Sequence, residues 1–295
     1  MLSILIPTYN YIIVPLVVEV KKQCDACGIA YEIIGLDDGS TVAYSENDEI
    51  NRLEYCSFHR NNENCGRSSN INQLAARSQF DYLLILEADA FPCKKNYIES
   101  YVSEIKLQKE AVFGGVVYNK VKPPADSRLR WVFGHSRESK SLADRLRKPY
   151  DIVFTWNLLI RKDLFFKAPF DTTINTYGYE DLVFLMDLKK RAVTITQIEN
   201  ECIHLNDDKS VVFIEKYHSS LRNLKQLLES KTIHPRDTSL TKLYHFLKRM
   251  GLTSSVAAVF RFSKNHLLKN LVSGKPSMLL FDFYKIGYFC TLRQR

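Results

Sequence analysis

A mostly parallel sheet flanked by helices, in an α/β chain of 295 residues, is the fold expected here, and three features point to it. Apolar runs of strand length alternate with amphipathic stretches through the first third of the chain. The runs are continuous instead of alternating, as in strands covered on both faces. Three of them end in polar sets: Thr8 with Asn10, Asp37 with Asp38, and Glu87 with Asp89. Parallel sheets gather their ligands at that rim, beyond the C-terminal strand ends.

The elements follow in order. Residues 2–6, LSILI, form a buried strand closed by Pro7 and Asn10. Residues 14–27 put Val14, Leu16, Val17, Val20 and Cys24 at core-compatible helical spacings. YEIIGLDDGS is the second buried strand, and RLEYCSFHRN contains a short third. Residues 66–78, opened by Gly66 and Ser68, are helical, and DYLLILEAD is the next buried strand. AVFGGVVYN reads as one strand. Residues 119–150, rich in Lys, Arg, Pro and Ser, read as a long loop of the kind that serves as a lid. FTWNLLIRKDLF returns to the core, and TYGYEDLVFLMDLKKR is a Gly turn, two acids and an amphipathic helix. VTITQIENECIHL is strand-like and ends at His204. Ile214, Tyr217, Leu221, Leu224 and Leu228 then form one helical stripe.

Composition narrows the function classes. The chain is 45% hydrophobic and 12% aromatic, enough for a sizeable core. Its net charge of +8 is concentrated at one end. Residues 236–295 hold 11 Lys and Arg against 2 Asp and Glu, whereas the other 235 residues hold 30 against 31. A nucleic-acid-binding role for the whole chain is therefore disfavoured. Seven cysteines, with Cys24 and Cys27 the one close pair, supply no zinc spacing. The odd count and the absence of a leader predict reduced thiols and a cytoplasmic protein. No apolar run reaches membrane-spanning length.

The acids at the end of LILEADAF have two readings. Carboxylate oxygens suit Mg²⁺ or Mn²⁺, which keep waters and bridge to phosphates. Alternatively, Glu87 caps the next turn and Asp89 pairs with a lysine. The neighbours decide. SILIPTYN, EIIGLDDGS, NENCGRSSNINQLAARSQFDYLLILEAD and YGYEDLVF resemble, in order and rough spacing, family 2 glycosyltransferases with the GT-A fold. The likeness runs from residue 1 to about 205, and GYED followed by IHL also resembles galactosyltransferase-type enzymes.

The resemblance implies roles. Thr8 lies where the family contacts uridine, and Asp38 matches the residue at the uracil edge, where a carboxylate accepts a charge-assisted hydrogen bond. Asn64, Gly66, Arg67 and Asn70 match the segment lining nucleotide and sugar. Arg67 could grip phosphate bidentately or be a solvated helix charge. EAD stands in place of the usual D-x-D motif, with Asp89 as the metal ligand and Glu87 near the ribose or a metal-bound water. Asp181 is the implied base for the acceptor hydroxyl, with Glu180 orienting sugar hydroxyls. A helix N-terminus would favour their ionised forms, and both could also cap that helix. His204 either completes the metal site or sits on the surface beside Asp207. Trp156 is a sugar platform or a core residue.

The expected architecture is thus a catalytic domain over 1–235 and a basic, aromatic helical extension over 236–295. The extension suits an anionic membrane surface, a nucleic acid, or simple packing on the catalytic domain. The leading expectation is an inverting, metal-dependent transfer of a hexose or N-acetylhexosamine from a UDP-sugar to a glycan or lipid-linked acceptor. Bacterial surface polysaccharide synthesis at the inner face of the membrane would be its setting, without nucleic acid. The rival is a catalytically degenerate nucleotide-sugar or carbohydrate binding protein on the same fold, suggested by the altered EAD.

Overall fold

The structure, a computed structural model, describes residues 1–292 apart from 43, 152, 175–176 and 206–207, so Asp207 lies outside the described residues. In chain order come β1 (Leu2–Thr8), α1 (Val14–Cys27), β2 (Tyr31–Asp37), β3 (Cys56–Arg60), α2 (Arg67–Arg77) and β4 (Tyr82–Leu86). Next are β5 (Ala90–Pro92), α3 (Tyr97–Lys106), β6 (Ala111–Phe113), β7 (Val116–Tyr118), α4 (Arg128–Phe133) and α5 (Leu142–Arg147). Then follow β8 (Asn157–Arg161), α6 (Lys162–Lys167), α7 (Glu180–Lys190), β9 (Ile195–Gln197) and β10 (Cys202–His204). The chain closes with α8 (Ser210–Glu229), α9 (Ser239–Arg249), α10 (Thr253–Leu271) and α11 (Met278–Thr291).

The chain divides into two compact units. The first comprises Met1–Asn119, Glu138–Asn175 and Glu180–Asn206. Its main sheet has the order β3-β2-β1-β4-β8-β6-β9, parallel except for β8, which runs antiparallel to β4 and β6. All seven residues of β1 are buried, so its two faces feed two cores. Leu2, Ile4 and Ile6 pack with Val17 and Val20 of α1 and Tyr97 and Tyr101 of α3. Leu5 packs with Ile71 and Leu74 of α2 and Phe184 of α7. Each such aliphatic side chain contributes about 1.5–3 kcal/mol on burial. Pro15 sits in the first turn of α1, where its missing N–H costs nothing, and Gly28 ends the helix.

Residues 111–119 are not one strand. Gly114 and Gly115 break the run, leaving β6 in the main sheet and β7 in a second, three-stranded sheet of order β5-β10-β7. The break needs both glycines: a Cβ on Gly114 would lie 2.3 Å from Asn200 O, and Gly115 has φ +93°. Residues 119–150 are not a loop either. They hold α4 and α5 together with two shorter helical turns. Ser141 caps α5 through the Asp144 N–H, and Arg145, 1% exposed, turns inward to Phe113 O, Gln197 Oε1 and Ile198 O. A basic residue that looks solvent-facing in the sequence is here a buried brace.

The second unit comprises Lys120–Arg137, Thr176–Tyr179 and Asp207–Arg295. It is helical, around a core that includes Leu129 and Phe133 of α4, Phe213 and Ile214 of α8, Phe260 of α10, and Phe281 and Tyr284 of α11. By packing, α8 groups with the helices that follow residue 235. The aromatics of the C-terminal segment sort into three sets, with Phe283 and Tyr288 partly buried against that core. Tyr244, Phe260, Phe281, Tyr284 and Phe289 are buried, whereas Phe246 and Phe262 are 58% and 96% exposed. Among the described residues no helix is long and apolar enough to cross a membrane.

Candidate active site

The site of the first unit is organised by Arg67, the first residue of α2. The turn that delivers it is held by Asp38, whose carboxylate accepts the Cys65 and Gly66 N–H groups at 3.0 and 2.9 Å and the Cys65 thiol at 2.8 Å. Gly66, at φ +85°, lets the chain enter the helix there. The guanidinium then reaches across the strand ends. Nε and Nη2 donate to the Glu87 carboxylate at 3.1 and 2.9 Å, a bidentate pair at the end of β4. Nη2 also donates to Thr155 Oγ1 at 2.9 Å. Nη1 lies 2.8 Å from Asp181 Oδ1 and 3.7 Å from Glu180 Oε1. The guanidinium carbon stands 5.7 Å from the centre of the Phe170 ring. Arg67 is thus neither a solvated helix charge nor poised for phosphate in this state: its three nitrogens are committed to carboxylates and a hydroxyl.

Glu180 and Asp181 open α7, following Gly178 at φ +99°. Asp181 Oδ1 accepts from Arg67 and, at 2.5 Å, from the Thr155 hydroxyl, and Oδ2 has a long 3.4 Å contact with the Thr155 N–H. Glu180 is 9% exposed, and its Oε2 has no hydrogen-bond partner among the described residues. Burial pushes its carboxyl up to about 7; Arg67 opposes this, and Asp181 and Glu87 reinforce it. Burial of Glu180 thus works against the helix N-terminus, which favours the ionised form. Burial also raises Glu87, against the pull of Arg67 and with a push from Asp89 and Asp181.

Asp89 and His204 meet because the EAD turn runs straight into β5, which pairs antiparallel with β10, Ala90 opposite His204. The Leu205 N–H donates to Asp89 O at 2.8 Å, and His204 Nε2 lies 3.6 Å from Asp89 Oδ2. Tyr118 stacks on the imidazole at 5.4 Å, and Trp156 meets it edge-on at 5.3 Å. Trp156 therefore packs beside His204, partly buried against the core. No group of three or more His, Cys, Asp and Glu suited to a metal occurs among the described residues. Two donors nevertheless fit a divalent ion that draws its other ligands from a diphosphate and water. Neighbouring ligands of an octahedral ion at ~2.1 Å stand ~3 Å apart, close to the separation seen here. An imidazole beside a carboxylate suits Mn²⁺ better than Mg²⁺.

Of the remaining predicted residues, Thr8 and Asn70 are buried and Asn64 is exposed. Thr8 is buried, its hydroxyl 3.3 Å from Ile6 O, and its carbonyl accepts the Asp38 N–H. Asn64 Oδ1 accepts the Gly66 N–H at 3.1 Å. Asn70 is buried and donates to Leu36 O at 3.0 Å, and its Oδ1 has no partner among the described residues. Thr155, which links Arg67 to Asp181, carries no signal of its own in the sequence, where FTWN draws attention only through Trp156.

A carboxylate–arginine cluster and an Asp–His pair thus lie beyond the strand ends of a mostly parallel sheet. The chain belongs to glycosyl transferase family 2, whose model matches residues 3–168, and has the GT-A fold. That match includes Asp38, Arg67, Glu87 and Asp89 but stops short of Glu180, Asp181 and His204. Among solved structures, the mannosyltransferase PcManGT from Pyrobaculum calidifontis, in complex with GDP-Man and Mn²⁺, is 11% identical with a TM-score of 0.56, over 98% of this chain and 84% of that one. TarS from S. aureus is 14% identical with a TM-score of 0.53, over 97% of this chain and 54% of that one. TarS 1–349 from S. aureus in complex with UDP is 14% identical with a TM-score of 0.50, over 98% and 89%. This chain spans 54% of one TarS chain and 64% of another. At such identities the likeness carries the fold alone. No curated protein matches the chain.

Proposed function

We propose that the protein transfers a hexose or N-acetylhexosamine from a UDP-sugar to a glycan or lipid-linked acceptor, with inversion. One observation carries this reading: Arg67 draws the strand-end acid Glu87 and the helix-start acids Glu180 and Asp181 into one cluster. On this reading Glu87 is the donor-side carboxylate and Asp181 the acceptor-side base, and both pair with one guanidinium. Asp89 and His204 would hold a divalent cation, Mn²⁺ or Mg²⁺, which when bound neutralises a departing diphosphate. The acceptor oxygen attacks the anomeric carbon, the bond from that carbon to the UDP oxygen breaks, and the hydroxyl proton passes to Asp181. Oδ2 is the oxygen to receive it, since Oδ1 is already taken up by Arg67 and Thr155. Glu180, buried and with Oε2 still to be satisfied, orients a sugar hydroxyl. Asp38, Asn64, Gly66 and Asn70 shape the nucleotide side, with Thr8 supporting Asp38. The TarS complex holds UDP and the PcManGT complex GDP-Man, so with uridine as the proposed base, guanosine is the outcome to exclude. Synthesis of a bacterial surface polysaccharide at the inner membrane face is the setting that fits a lipid-linked acceptor.

Calorimetric titration of the protein with UDP, with and without Mn²⁺, tests this. Binding should require both the ion and Asp89, and Asp89→Ala should abolish it. Asp181→Asn should keep UDP binding while turnover falls by about 10²–10⁴-fold. Absence of UDP binding under every condition would overturn the donor assignment, and near-normal turnover of Asp181→Asn would remove Asp181 as the base.

A further inference from the structure

The acid-free stretch of the second unit has a surface that the transfer chemistry leaves unexplained. Between Thr238 and Phe281 there are seven Lys and Arg and no Asp or Glu. This stretch is not a tail but α9 and α10, anchored from beneath by Tyr244, Ala257, Phe260, Leu267 and Leu271. With those side chains turned inward, the outward positions should be polar. Several are large and apolar instead. On α9, Leu243, Phe246 and Met250 recur at three- and four-residue spacings, one stripe, and are 44%, 58% and 60% exposed. The turn continues the apolar surface with Leu252 at 43%. On α10, Val259 and Phe262 are 55% and 96% exposed, and Phe262 stands two residues from buried Phe260, far round the helix from the packed face. Lys242, Lys248 and Arg249 flank the first stripe, and Arg261 and Lys269 flank the second.

We propose that the outward faces of α9 and α10 form a docking surface for an anionic lipid bilayer. The chemistry selects this partner. Large apolar side chains ringed by cations, with no carboxylate to repel a phosphate headgroup, are the two requirements of interfacial binding: insertion into the acyl boundary and attraction to negative lipid. A nucleic acid would use the cations but gain little from Leu243, Met250 and Val259. A second copy of this chain would bring the same positive surface against itself. The buried aromatics of α11 take no part, because Phe281, Tyr284 and Phe289 are core residues. The inference concerns binding and stands apart from the donor and the acceptor.

The test is co-sedimentation of the full chain with vesicles of phosphatidylcholine alone or mixed with phosphatidylglycerol, at low and high salt. Binding should require the anionic lipid and weaken as salt rises. Phe246→Ser with Phe262→Ser should lower the partition coefficient at least about tenfold, and Lys248→Glu with Arg249→Glu should do the same. Leu107→Ser, at an apolar site 65% exposed in the first unit, should leave it unchanged. Unaltered UDP binding by the double variants separates a failed surface from a failed fold or a failed donor assignment. No binding to anionic vesicles would overturn the proposal, as would equal binding by wild type and both double variants. So would tighter, salt-sensitive binding to single-stranded RNA than to vesicles, or a dimer in solution that Phe262→Ser converts to monomer.

Discussion

Replacing Glu180 by Gln should change how stability depends on pH more than it changes stability itself. The carboxyl of Glu180 is raised from its ordinary 4.5 to about 7, chiefly by burial. A carboxyl whose folded value lies above its unfolded one keeps a proton that the unfolded chain gives up. The resulting stability is fully present below the unfolded value and is lost as the pH rises through the folded value. For this displacement the whole loss is about 3 kcal/mol, and the part that falls between pH 5 and pH 8 is about 2.5 kcal/mol. Gln has no proton to lose, so its curve lacks this fall. The new amide carries a separate cost: one of its polar ends replaces Oε2, which has no hydrogen-bond partner among the described residues. Leaving a buried donor unsatisfied costs about 1–3 kcal/mol, at every pH alike. The variant should therefore be less stable than wild type at pH 5, and the gap should close or reverse by about 2.5 kcal/mol at pH 8. Urea unfolding of both proteins at the two pH values, followed by the fluorescence of Trp156 in the same unit, measures it. A difference between the proteins that is constant within about 0.5 kcal/mol would show that Glu180 does not retain its proton, and the argument from burial would fall.

Arg67→Met should destabilise the first unit by about 3–5 kcal/mol at pH 8, where Glu87 and Asp181 lose their shared partner. The loss should be smaller at pH 5, because the guanidinium now opposes protonation of Glu87 and Glu180 and its removal lets both take up protons; urea titrations at the two pH values would show it, and equal losses would refute it. Gly115→Ala should cost about 2 kcal/mol or more, since its φ of +93° is strained for Ala and its Cβ would lie 2.8 Å from Arg145 Nη2. A thermal melt within a degree or so of wild type would mean that β6 and β7 can be joined without that backbone geometry.

The elements that the sequence displays best are those whose signal is long and local. The helix over 14–27 has its observed limits, and the strands ending at Asp37 and Leu86 lie where the apolar runs end, whereas β1 is not closed by Pro7 but continues through it to Thr8. The misreadings share one cause. AVFGGVVYN looks like one strand because Val, Phe and Tyr dominate it, and only tertiary packing shows that Gly114–Gly115 passes the chain from one sheet to another. α4 and α5 have six residues each, too few to establish a helical period. What holds them is distant in sequence: Leu129 and Phe133 pack with Phe213 and Phe281, and Arg145 reaches Gln197 and Ile198.

The site was legible as a rim of strand ends but not as a network, because a network depends on the reach of one long side chain. Arg67 joins positions 87, 155, 180 and 181, the last 114 residues away. Once that network is drawn, its protonation follows from charge and distance. Three carboxylates around one guanidinium would carry a net charge of −2 if all were ionised, too much for a largely desolvated cluster. One proton relieves it, and the cation decides where. Arg67 stands 2.8 Å from Asp181 and 2.9 Å from Glu87 but 3.7 Å from Glu180. At an effective dielectric constant of about 20, the attraction across 3.7 Å is weaker than that across 2.8 Å by about 1.4 kcal/mol, a tenfold preference. Glu180 is also the most buried of the three by side-chain exposure, at 10% against 23% for Glu87 and 27% for Asp181. Distance and burial agree with the raised carboxyl of Glu180, so a proton held by the cluster favours that residue.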